Sequence, residues 1–402
     1  MSDISTVRSV VVVGAGLGGL TAALALLRHG FQVTVLEQAP MLAEVGAGVQ
    51  LSANATRVLS LLGLKNSVTE LGAEPTGKKI RHWSTGRTWE VPDLAANSRE
   101  KYGHPFSFFH RADLHTALMR GVQALAPSAI RLDCRCESVD LSGTRPAVLL
   151  RSGERVEADL VVGADGVHSC IRAPIAGPDK ARFSGLYAWR GVIPAARLPE
   201  HLRAMDGVNW VGPGRHVVQY PLRSGELINF VGIVEGQGWQ VESWTQQGTL
   251  TDCLKDFDGW HEDVQTMIRA IEVHYKWAFM AREPLQRWST GAVTLLGDAA
   301  HPTLPFLAQG AAMAMEDGYV LARALAAHRD DITQALASYE AARVQRTSAI
   351  VRGSNDNTAR FHNPKLADPD GAAQYIEEQW AADKVRERYE WLFDYRVDEV
   401  AV

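Results

Sequence analysis

A glycine-rich loop near the N-terminus has the residue types and spacing that suit a phosphate group. Gly14, Gly16 and Gly19 form the pattern GxGxxG, with Gly18 beside them. Glycine lets the backbone turn tightly and approach a pyrophosphate, and the free N–H groups of the helix that follows donate to phosphate oxygens. Glu37 lies 18 residues after Gly19, where a carboxylate accepts hydrogen bonds from ribose hydroxyls. The loop predicts a dinucleotide site but does not distinguish one dinucleotide from another.

Two later segments also place glycine and aspartate directly after a strand-like run. Residues 163–169 (GADGVHS) follow the run 158–162, and residues 297–302 (GDAAHP) follow the run 292–296. Ligands of α/β folds bind at the carboxyl ends of the strands, so Asp298 is expected to lie at a binding site. A plain helix cap is the alternative for this aspartate. Because Asp-Gly pairs favour turns, a turn residue is the alternative for the aspartate of the first segment.

The three motifs, in this order and across nearly the whole chain, resemble those of the single-component flavoprotein aromatic hydroxylases. These enzymes share the fold and the FAD site of para-hydroxybenzoate hydroxylase. The resemblance implies that FAD is the resident cofactor and that NADH or NADPH visits as a transient co-substrate. It also implies that O2 and a small aromatic molecule are the other reactants. The sequence has no second GxGxxG and no CxxC pair, which favours a hydroxylase over a disulfide reductase.

The resemblance also implies which residues bind FAD. Asp165, in the segment that Arg172 completes, lies near the pyrophosphate, and Asp298 holds the ribitol. Arg111 reaches the phosphates, for which a guanidinium is suited because it donates in pairs; a surface salt bridge is the alternative. The helix that begins near Gly310 directs its N-terminal dipole at the flavin pyrimidine edge, where reduced flavin is an anion. The implied cofactor-binding residues are Gly14, Gly16, Gly18, Gly19, Glu37, Gly48, Val49, Arg111, Asp165, Asp298, Gly310, Ala311 and Ala312.

A histidine and a tyrosine stand four residues apart on a predicted strand. His216 and Tyr220 should therefore project from the same face of that strand. The pair resembles one in 3-hydroxybenzoate 6-hydroxylases and 6-hydroxynicotinate 3-monooxygenases, where the histidine is proposed to deprotonate the substrate phenol and the tyrosine assists binding. A histidine of near-neutral pKa can take such a proton. These two residues are the predicted catalytic pair, and a solvent-facing histidine at the strand edge is the alternative for His216.

Two loops are expected to border the flavin and the substrate. Residues 46–50 (GAGVQ) match the flexible loop beside the isoalloxazine. Relatives carry glutamine near Pro305 or histidine at the position of Phe306, whereas this chain has an apolar pair. Gln309 is expected either to donate to the substrate or to cap the backbone, and His301 is expected to be a structural partner and not a base. The predicted substrate-pocket residues are Gln219, Pro305, Phe306 and Gln309.

An α/β framework is needed to hold these residues. The run 7–13 predicts a buried strand, 17–29 a helix and 31–36 a second strand, which together make a right-handed β-α-β unit and a parallel sheet. Residues 181–283 are rich in tryptophan and in short strand-like runs, which predicts an inserted, mostly antiparallel sheet. The expected fold class is α/β, with a Rossmann-like FAD-binding domain, an inserted mostly antiparallel β-sheet substrate domain and C-terminal helices.

The periodicity also predicts particular elements and boundaries. Strands are expected at 216–222 and 227–234, and helices at 311–327, 332–352 and 371–396. The tryptophans of the inserted segment are Trp189, Trp210, Trp239, Trp244, Trp260 and Trp277. The expected boundaries are 1–78, 103–180 and 284–355 for the FAD-binding domain, 79–102 and 181–283 for the substrate domain, and 356–402 for the C-terminal helical segment.

The composition argues against several other classes of protein. The net charge is only −5 and the basic residues are scattered, so no nucleic-acid surface is expected. No apolar run is long enough to span a bilayer, and no secretion signal is evident. The four cysteines, which are Cys134, Cys136, Cys170 and Cys253, fit no metal or redox spacing, so unpaired thiols in a reducing cytoplasm are expected. We expect a cytoplasmic monomer or homodimer without a metal.

The function predicted from these motifs is NAD(P)H-dependent hydroxylation of a hydroxylated aromatic acid, of the 3-hydroxybenzoate or salicylate type, through a flavin C4a-hydroperoxide. A hydroxypyridine carboxylate such as 6-hydroxynicotinate is the alternative substrate. The alternative of another class is a non-hydroxylating FAD-dependent NAD(P)H oxidase or redox sensor. Such a protein would keep the three FAD motifs but would need no phenol-binding pair.

Overall fold

The computed structural model describes residues 8–42, 47–92, 94–177, 181–236 and 246–402. Its strands are β1 (Ser9–Val13), β2 (Gln32–Leu36), β3 (Gly48–Leu51), β4 (Lys78–His82), β5 (Thr88–Val91), β6 (Ser107–His110), β7 (Ile130–Arg131), β8 (Cys136–Asp140), β9 (Ala147–Leu150), β10 (Arg155–Glu157), β11 (Leu160–Gly163), β12 (Arg182–Pro194), β13 (Gly207–Gly212), β14 (Arg215–Leu222), β15 (Leu227–Glu235), β16 (Tyr275–Ala281), β17 (Ser289–Thr290) and β18 (Val293–Leu295). Its helices are α1 (Leu17–Arg28), α2 (Ala53–Leu61), α3 (Lys65–Leu71), α4 (Ser98–Tyr102), α5 (Arg111–Leu125), α6 (Ala173–Ala176), α7 (Leu250–Asp256), α8 (Glu262–Ala270), α9 (Gly310–Ala327), α10 (Ile332–Phe361), α11 (Pro369–Gln379) and α12 (Ala382–Phe393).

A mostly parallel sheet carries the three glycine-containing motifs. Within the described residues its strand order is β17-β18-β11-β1-β2-β7. β1 pairs in parallel with β2 and with β11, and β11 pairs in parallel with β18. The valines at 10–13 are buried because helices α1, α5 and α9 lie against this core. The prediction of a β-α-β unit with a parallel sheet is confirmed, although Val7 lies outside the described residues.

A larger, mostly antiparallel sheet lies next to the first one in the fold. Its strand order within the described residues is β16-β12-β15-β14-β13-β4-β5, and of these pairs only β13 and β4 run in parallel. The predicted antiparallel sheet is therefore confirmed. Sequence reasoning missed α7 and α8, which cover one face of this sheet with Phe257, Val264 and Met267. Trp239 and Trp244 lie outside the described residues.

The C-terminal helices cover the other face of the antiparallel sheet. α10 runs through residue 361, nine residues beyond its predicted end at 352, and so brings Phe361 onto this face. The helix predicted at 371–396 is two helices, α11 and α12, which separate at Trp380. Phe361, Tyr375 and Trp380 pack with Phe306 in one apolar cluster over the sheet. The space between this sheet and the loop that precedes α9 is consequently lined by aromatic side chains.

Candidate active site

The predicted motifs meet at one edge of the parallel sheet. Gly14 follows β1, Glu37 follows β2, Asp165 follows β11 and Asp298 follows β18 closely. These strands are neighbours in parallel register, since Val13 pairs with Leu36 and with Gly163, and Gly163 pairs with Leu295. The carboxyl ends of adjacent parallel strands form the ligand-binding edge of an α/β sheet. Segments far apart in sequence thus form one site.

Each glycine of the first loop has its own steric reason. Gly14 has a φ of +103°, and a Cβ there would lie 2.4 Å from the carbonyl oxygen of Ala164. A Cβ on Gly19 would lie 2.1 Å from the carbonyl oxygen of Gly14, and one on Gly18 would lie 2.8 Å from Cβ of Ala314 in α9. Apart from its chain neighbours, a Cβ on Gly16 would meet no atom of the described residues within 4 Å. Three of the glycines therefore permit close packing, and the fourth faces open space.

Glu37 holds the glycine loop in place with its carboxylate. Its Oε2 accepts a hydrogen bond from the backbone N–H of Ala15, and its Oε1 accepts one from Ala39, both at 2.9 Å. Each carboxylate oxygen has a second lone pair, so acceptance from a ribose hydroxyl is still possible. The structure therefore adds a positioning contact to the ribose role expected for this residue.

Asp165 organises the turn that follows it. Its Oδ2 accepts hydrogen bonds from the N–H groups of Cys170 (2.8 Å) and Ile171 (3.3 Å). Nη1 of Arg172, a few residues later, donates to the carbonyl oxygens of Ala299 (2.9 Å) and Ala300 (3.2 Å). Oδ2 of Asp165 therefore stabilises the turn, as the alternative interpretation of this residue expected. Arg172 joins this segment to the one that contains Asp298.

Asp298 is exposed although the residues on both sides of it are fully buried. The surrounding protein partly desolvates its carboxylate, which disfavours the charged form and raises its pKa. The positive charges of His301 and Arg111 oppose this rise. Arg111 begins α5, and its backbone N–H donates to the carbonyl oxygen of Ala47 at 2.9 Å. A carboxylate and a guanidinium that act on each other at the sheet edge match the groups expected for the ribitol and the phosphates.

A buried ionic cluster supports the segment around Asp298. Oδ2 of Asp317 accepts from the N–H of Gly297 (3.0 Å) and from Nε2 of His301 (2.6 Å). Its Oδ1 accepts from Nε of Arg343 at 2.7 Å. His301 is therefore the structural partner that the sequence suggested. Asp317 and Arg343 are fully buried, and sequence reasoning had assigned them no role.

α9 begins where the flavin is expected, with Gly310 and Ala311 half-buried and Ala312 buried. Gln309, just before it, is buried, and its side chain makes no capping hydrogen bond to the helix. Its amide donates to Oγ of Ser52 and accepts from Nδ2 of Asn54, both at 2.9 Å. The expected substrate-contacting or capping role of Gln309 is therefore not what the structure shows. The residue belongs to a buried hydrogen-bond network that joins α2 to α9.

His216 and Tyr220 lie on the face of β14 that looks toward the C-terminal helices. Both are buried, at 1% and 4% exposure, so the solvent-facing alternative for His216 is wrong. The ring centroid of His216 lies 5.2 Å from that of Phe306, and that of Tyr220 lies 4.8 Å from that of Phe108. Phe306 belongs to the loop between Asp298 and α9, and Pro305 beside it is exposed. His216 therefore packs against the loop that precedes α9, and Tyr220 packs against β6.

Gln219 does not join this pair. Strand side chains alternate between faces, so Gln219 lies on the opposite face from His216 and Tyr220. Its Oε1 accepts a hydrogen bond from Nε1 of Trp210 at 2.9 Å, in the core that α7 and α8 cover. The prediction that Gln219 lines the substrate pocket is corrected by this placement.

The loop that matches the flexible isoalloxazine segment packs onto Tyr220. The N–H of Gly48 donates to Oδ1 of Asn229 at 2.8 Å, and a Cβ on Gly48 would lie 2.4 Å from the tyrosine ring. Val49 is half-buried in β3 and pairs with Phe109. Gly46, the first residue of the loop, lies outside the described residues.

Comparisons with known proteins agree with this geometry. Residues 8–354 match the family described as FAD binding domain. The chain belongs to this family. The 3-amino-4-hydroxybenzoate 2-monooxygenase PtnB3 of Streptomyces platensis is 36% identical over 402 residues, which cover 100% of this chain and 99% of that protein. The 3-hydroxybenzoate 6-hydroxylase of Polaromonas naphthalenivorans (strain CJ2) is 35% identical over 404 residues, 99% and 98% of the two chains.

A solved structure of the same architecture holds the cofactor. The crystal structure of Klebsiella pneumoniae HpxO complexed with FAD and uric acid superposes with a TM-score of 0.81 at 25% identity and covers 96% of each chain. With the family and the named relatives, this confirms the fold and the FAD cofactor. The chain is an FAD-dependent aromatic monooxygenase, a class that typically uses NADH or NADPH as co-substrate. Among the described residues, no helix is both long and apolar enough to cross a membrane, and no cluster of candidate ligands could hold a metal.

Arg190 is buried in the structure, although sequence reasoning assigned it no role. Arg190 in β12 pairs with Val231, which pairs with Val218, the residue between His216 and Tyr220. Directly paired residues share a face, so Arg190 faces the same side as the predicted catalytic pair. Its guanidinium lies 4.1 Å from the ring centroid of Trp277, and its charge partly offsets the rise in the pKa of Tyr220 that burial causes. Nothing in the local sequence separates this arginine from a surface one.

Proposed function

We propose that this monooxygenase hydroxylates a benzoate-type acid that carries a phenolic hydroxyl. The observation that carries the proposal is the common face formed by His216, Tyr220 and Arg190. A carboxylate is best held by a buried guanidinium, and a phenol is best activated by a neutral imidazole. The named relatives act on hydroxylated benzoates, which supports the same substrate class.

Each side chain has a distinct task in this proposal. Burial lowers the pKa of His216 well below its usual value, so the ring is neutral near pH 7 and can accept the phenol proton. The hydroxyl of Tyr220 has no hydrogen-bond partner among the described residues and is kept protonated because burial raises its pKa. It can therefore donate to an oxygen of the substrate. Arg190 fixes the carboxylate, which orients the ring.

The residues at the edge of the parallel sheet fit FAD. Gly16 leaves room for the pyrophosphate, Arg111 supplies positive charge, and Glu37 and Asp298 present carboxylates to the ribose and the ribitol. When bound, FAD supplies the redox chemistry that activates O2. The aromatic side chains Phe279, Phe306 and Trp277 exclude water from the substrate side, which limits the wasteful release of peroxide. We place the FAD-binding and substrate domains at the boundaries given above.

Two expectations on the state of the protein belong to the same proposal. All four cysteines are free thiols, which supports a reducing, cytoplasmic location. A monomer or a homodimer is proposed, and sedimentation of the holoenzyme would measure which of the two is present.

The test is a screen in which product formation is compared with NAD(P)H consumption. Suitable aromatic acids are 3-hydroxybenzoate, salicylate, 3-amino-4-hydroxybenzoate and 6-hydroxynicotinate. One hydroxylated product per NAD(P)H with a hydroxybenzoate supports the proposal, and coupling with the pyridine acid alone supports the alternative substrate. Peroxide in place of product with every acid would show an oxidase.

The base assignment is tested in the same assay. His216→Gln should lower coupled hydroxylation by about a hundredfold or more while FAD stays bound. His201→Gln is the matched control, because His201 is exposed at the surface, where it pairs with Asp263. Full-rate coupled hydroxylation by His216→Gln would overturn the assignment.

A further inference from the structure

A chain of three hydrogen-bonding groups leads away from the predicted base. Nδ1 of His216 lies 2.6 Å from Nε2 of His362, and Nδ1 of His362 lies 2.7 Å from Oε1 of Glu235. His216 lies on β14, Glu235 ends β15, and His362 follows the last residue of α10. Three separate elements therefore meet in one hydrogen-bonded line.

The two ends of this line differ in their access to water. His216 and His362 are buried, whereas the side chain of Glu235 is 52% exposed. The rings of Phe306 and Phe361 pack on His216 at centroid distances of 5.2 and 4.9 Å. The path thus runs from an apolar interior to the solvent.

The carboxylate end determines which nitrogen atoms carry protons. An ionised Glu235 only accepts, and its bond with His362 holds the pKa of this carboxyl below its usual value. Nδ1 of His362 must therefore donate to Glu235, which leaves Nε2 of His362 as an acceptor for the N–H at Nδ1 of His216. Nε2 of His216 is then the free lone pair, and it has no hydrogen-bond partner among the described residues.

We propose that His362 and Glu235 form a proton relay with His216, which carries the phenol proton from the substrate pocket to water. The inference rests on the proposed function, in which His216 receives that proton. His362 and Glu235 act through His216 and are positioning and transfer residues, because neither contacts the substrate.

One proton moves along each hydrogen bond of the relay, so that protons and charges are conserved. The phenol O–H bond breaks and its proton goes to Nε2 of His216. The proton on Nδ1 of His216 passes to Nε2 of His362, and the one on Nδ1 of His362 passes to the carboxylate of Glu235. Both rings end neutral, the substrate becomes a phenolate, and water takes the proton from Glu235. The reverse shift returns a proton to the product phenolate and restores both tautomers.

Burial explains why the base needs such an outlet. The imidazolium form of His216 is disfavoured by desolvation and by the charge that His362 would carry, so the pKa of His216 is low. The ring can therefore pass a proton on more easily than it can keep one. A relay also removes the proton while the pocket remains closed to water, which the oxygen chemistry requires.

The experiment follows proton release from the oxidised holoenzyme without NAD(P)H. A nitro-substituted 3-hydroxybenzoate reports phenolate formation by its colour, and a pH indicator in weakly buffered solution reports the released proton. Both signals are recorded by stopped flow for wild type, His362→Gln and Glu235→Gln. Glu226→Gln is the matched control, because it makes the same change at an exposed glutamate beside the other end of β15.

The wild type and the Glu226→Gln control should release one proton per bound ligand at the rate of phenolate formation. His362→Gln and Glu235→Gln should slow both signals by about a hundredfold, with the FAD spectrum and the dye affinity unchanged. Wild-type rates in Glu235→Gln would overturn the relay, even if His362→Gln does not fold. Wild-type phenolate formation in His216→Gln would instead overturn the base, and with it the proposed function.

Discussion

Gly48 and the ring of Tyr220 are in direct contact, and a Cβ on Gly48 would lie only 2.4 Å from Cε2 of the tyrosine. The contact joins β3 to the face of β14 that carries His216 and Tyr220. Tyr220 is almost fully buried and packs on Phe108, so the ring has little freedom to move aside. The position of the tyrosine hydroxyl therefore depends on the absence of a side chain at Gly48.

Gly48→Ala should raise KM for the aromatic acid by about tenfold because the added methyl displaces Tyr220 or β3. Flavin absorbance of the purified variant measures separately whether FAD still binds, because the resemblance also assigns Gly48 to the cofactor. Gly143→Ala is the control, because a Cβ there makes only ordinary contacts in an exposed loop. Equal KM values in the two variants would show that the contact does not position the tyrosine.

Gly16→Ala should weaken FAD binding by about tenfold or more, which is ~1.4 kcal/mol, without weakening the fold of the apoprotein. Apart from its chain neighbours, a Cβ on Gly16 would meet no atom of the described residues within 4 Å, so the substitution should leave the packing of the protein unchanged. Titration of apoprotein with FAD, followed by flavin fluorescence, measures the affinity. Thermal melting of the apoprotein is the companion measurement, and a large drop in Tm would contradict the argument.

Arg190→Gln should raise KM for a hydroxybenzoate by about a hundredfold, while the KM for the matching carboxamide changes little. The difference arises because only the carboxylate needs the guanidinium charge. Arg182→Gln is the control on the same strand, since Arg182 is exposed. A parallel loss for acid and amide would mean that Arg190 supports Trp277 and does not bind the substrate.

Arg343→Met should destabilise the holoenzyme by roughly 3–5 kcal/mol, because it leaves two fully buried carboxylates, Glu316 and Asp317, without this partner. Arg99→Met removes an ion pair with Glu74 at the surface and should cost less than about 1 kcal/mol. Urea denaturation monitored by circular dichroism compares the two. Equal losses would indicate that the buried cluster is no more important than a surface pair.

Asp317 should make the stability of the protein sensitive to acid. Burial acts to raise the pKa of Asp317, but the charges of His301 and Arg343 outweigh it and hold the pKa below the usual value. Stability from this carboxylate is therefore present above the unfolded pKa of about 3.9 and is lost as the pH falls through the folded pKa. Asp317→Asn should lose less stability than wild type between pH 5 and pH 3 in urea titrations. If the two proteins lost the same free energy of unfolding between pH 5 and pH 3, the low pKa of Asp317 would not be the source of the acid sensitivity.

Local patterns predicted the glycine loop and the parallel sheet of this protein well. Spacing alone identified Gly14, Gly16 and Gly19, because the steric needs of a phosphate loop are met within a few residues. The alternation of β14 also predicted that His216 and Tyr220 share a face. The same alternation already placed Gln219 on the other face, so that error was avoidable from the sequence.

The substrate side was less predictable because its groups meet through tertiary contacts. His362 lies 146 residues beyond His216 and reaches it only because α10 extends past its predicted end. Arg190 has no local signal, since its burial depends on pairing across three strands. Gln309 was open to two interpretations until Ser52 and Asn54 were seen to occupy its amide. Contacts of this kind carry no fixed spacing.

Arg172 donates to backbone carbonyls 127 and 128 residues further along the chain, and so joins the two aspartate segments. A nascent chain that ends before residue 298 contains the glycine loop but lacks both these carbonyls and Asp298. The ribosome must therefore complete most of the protein before Arg172 can make these two hydrogen bonds. The joining of the two aspartate segments is accordingly a late event in biogenesis.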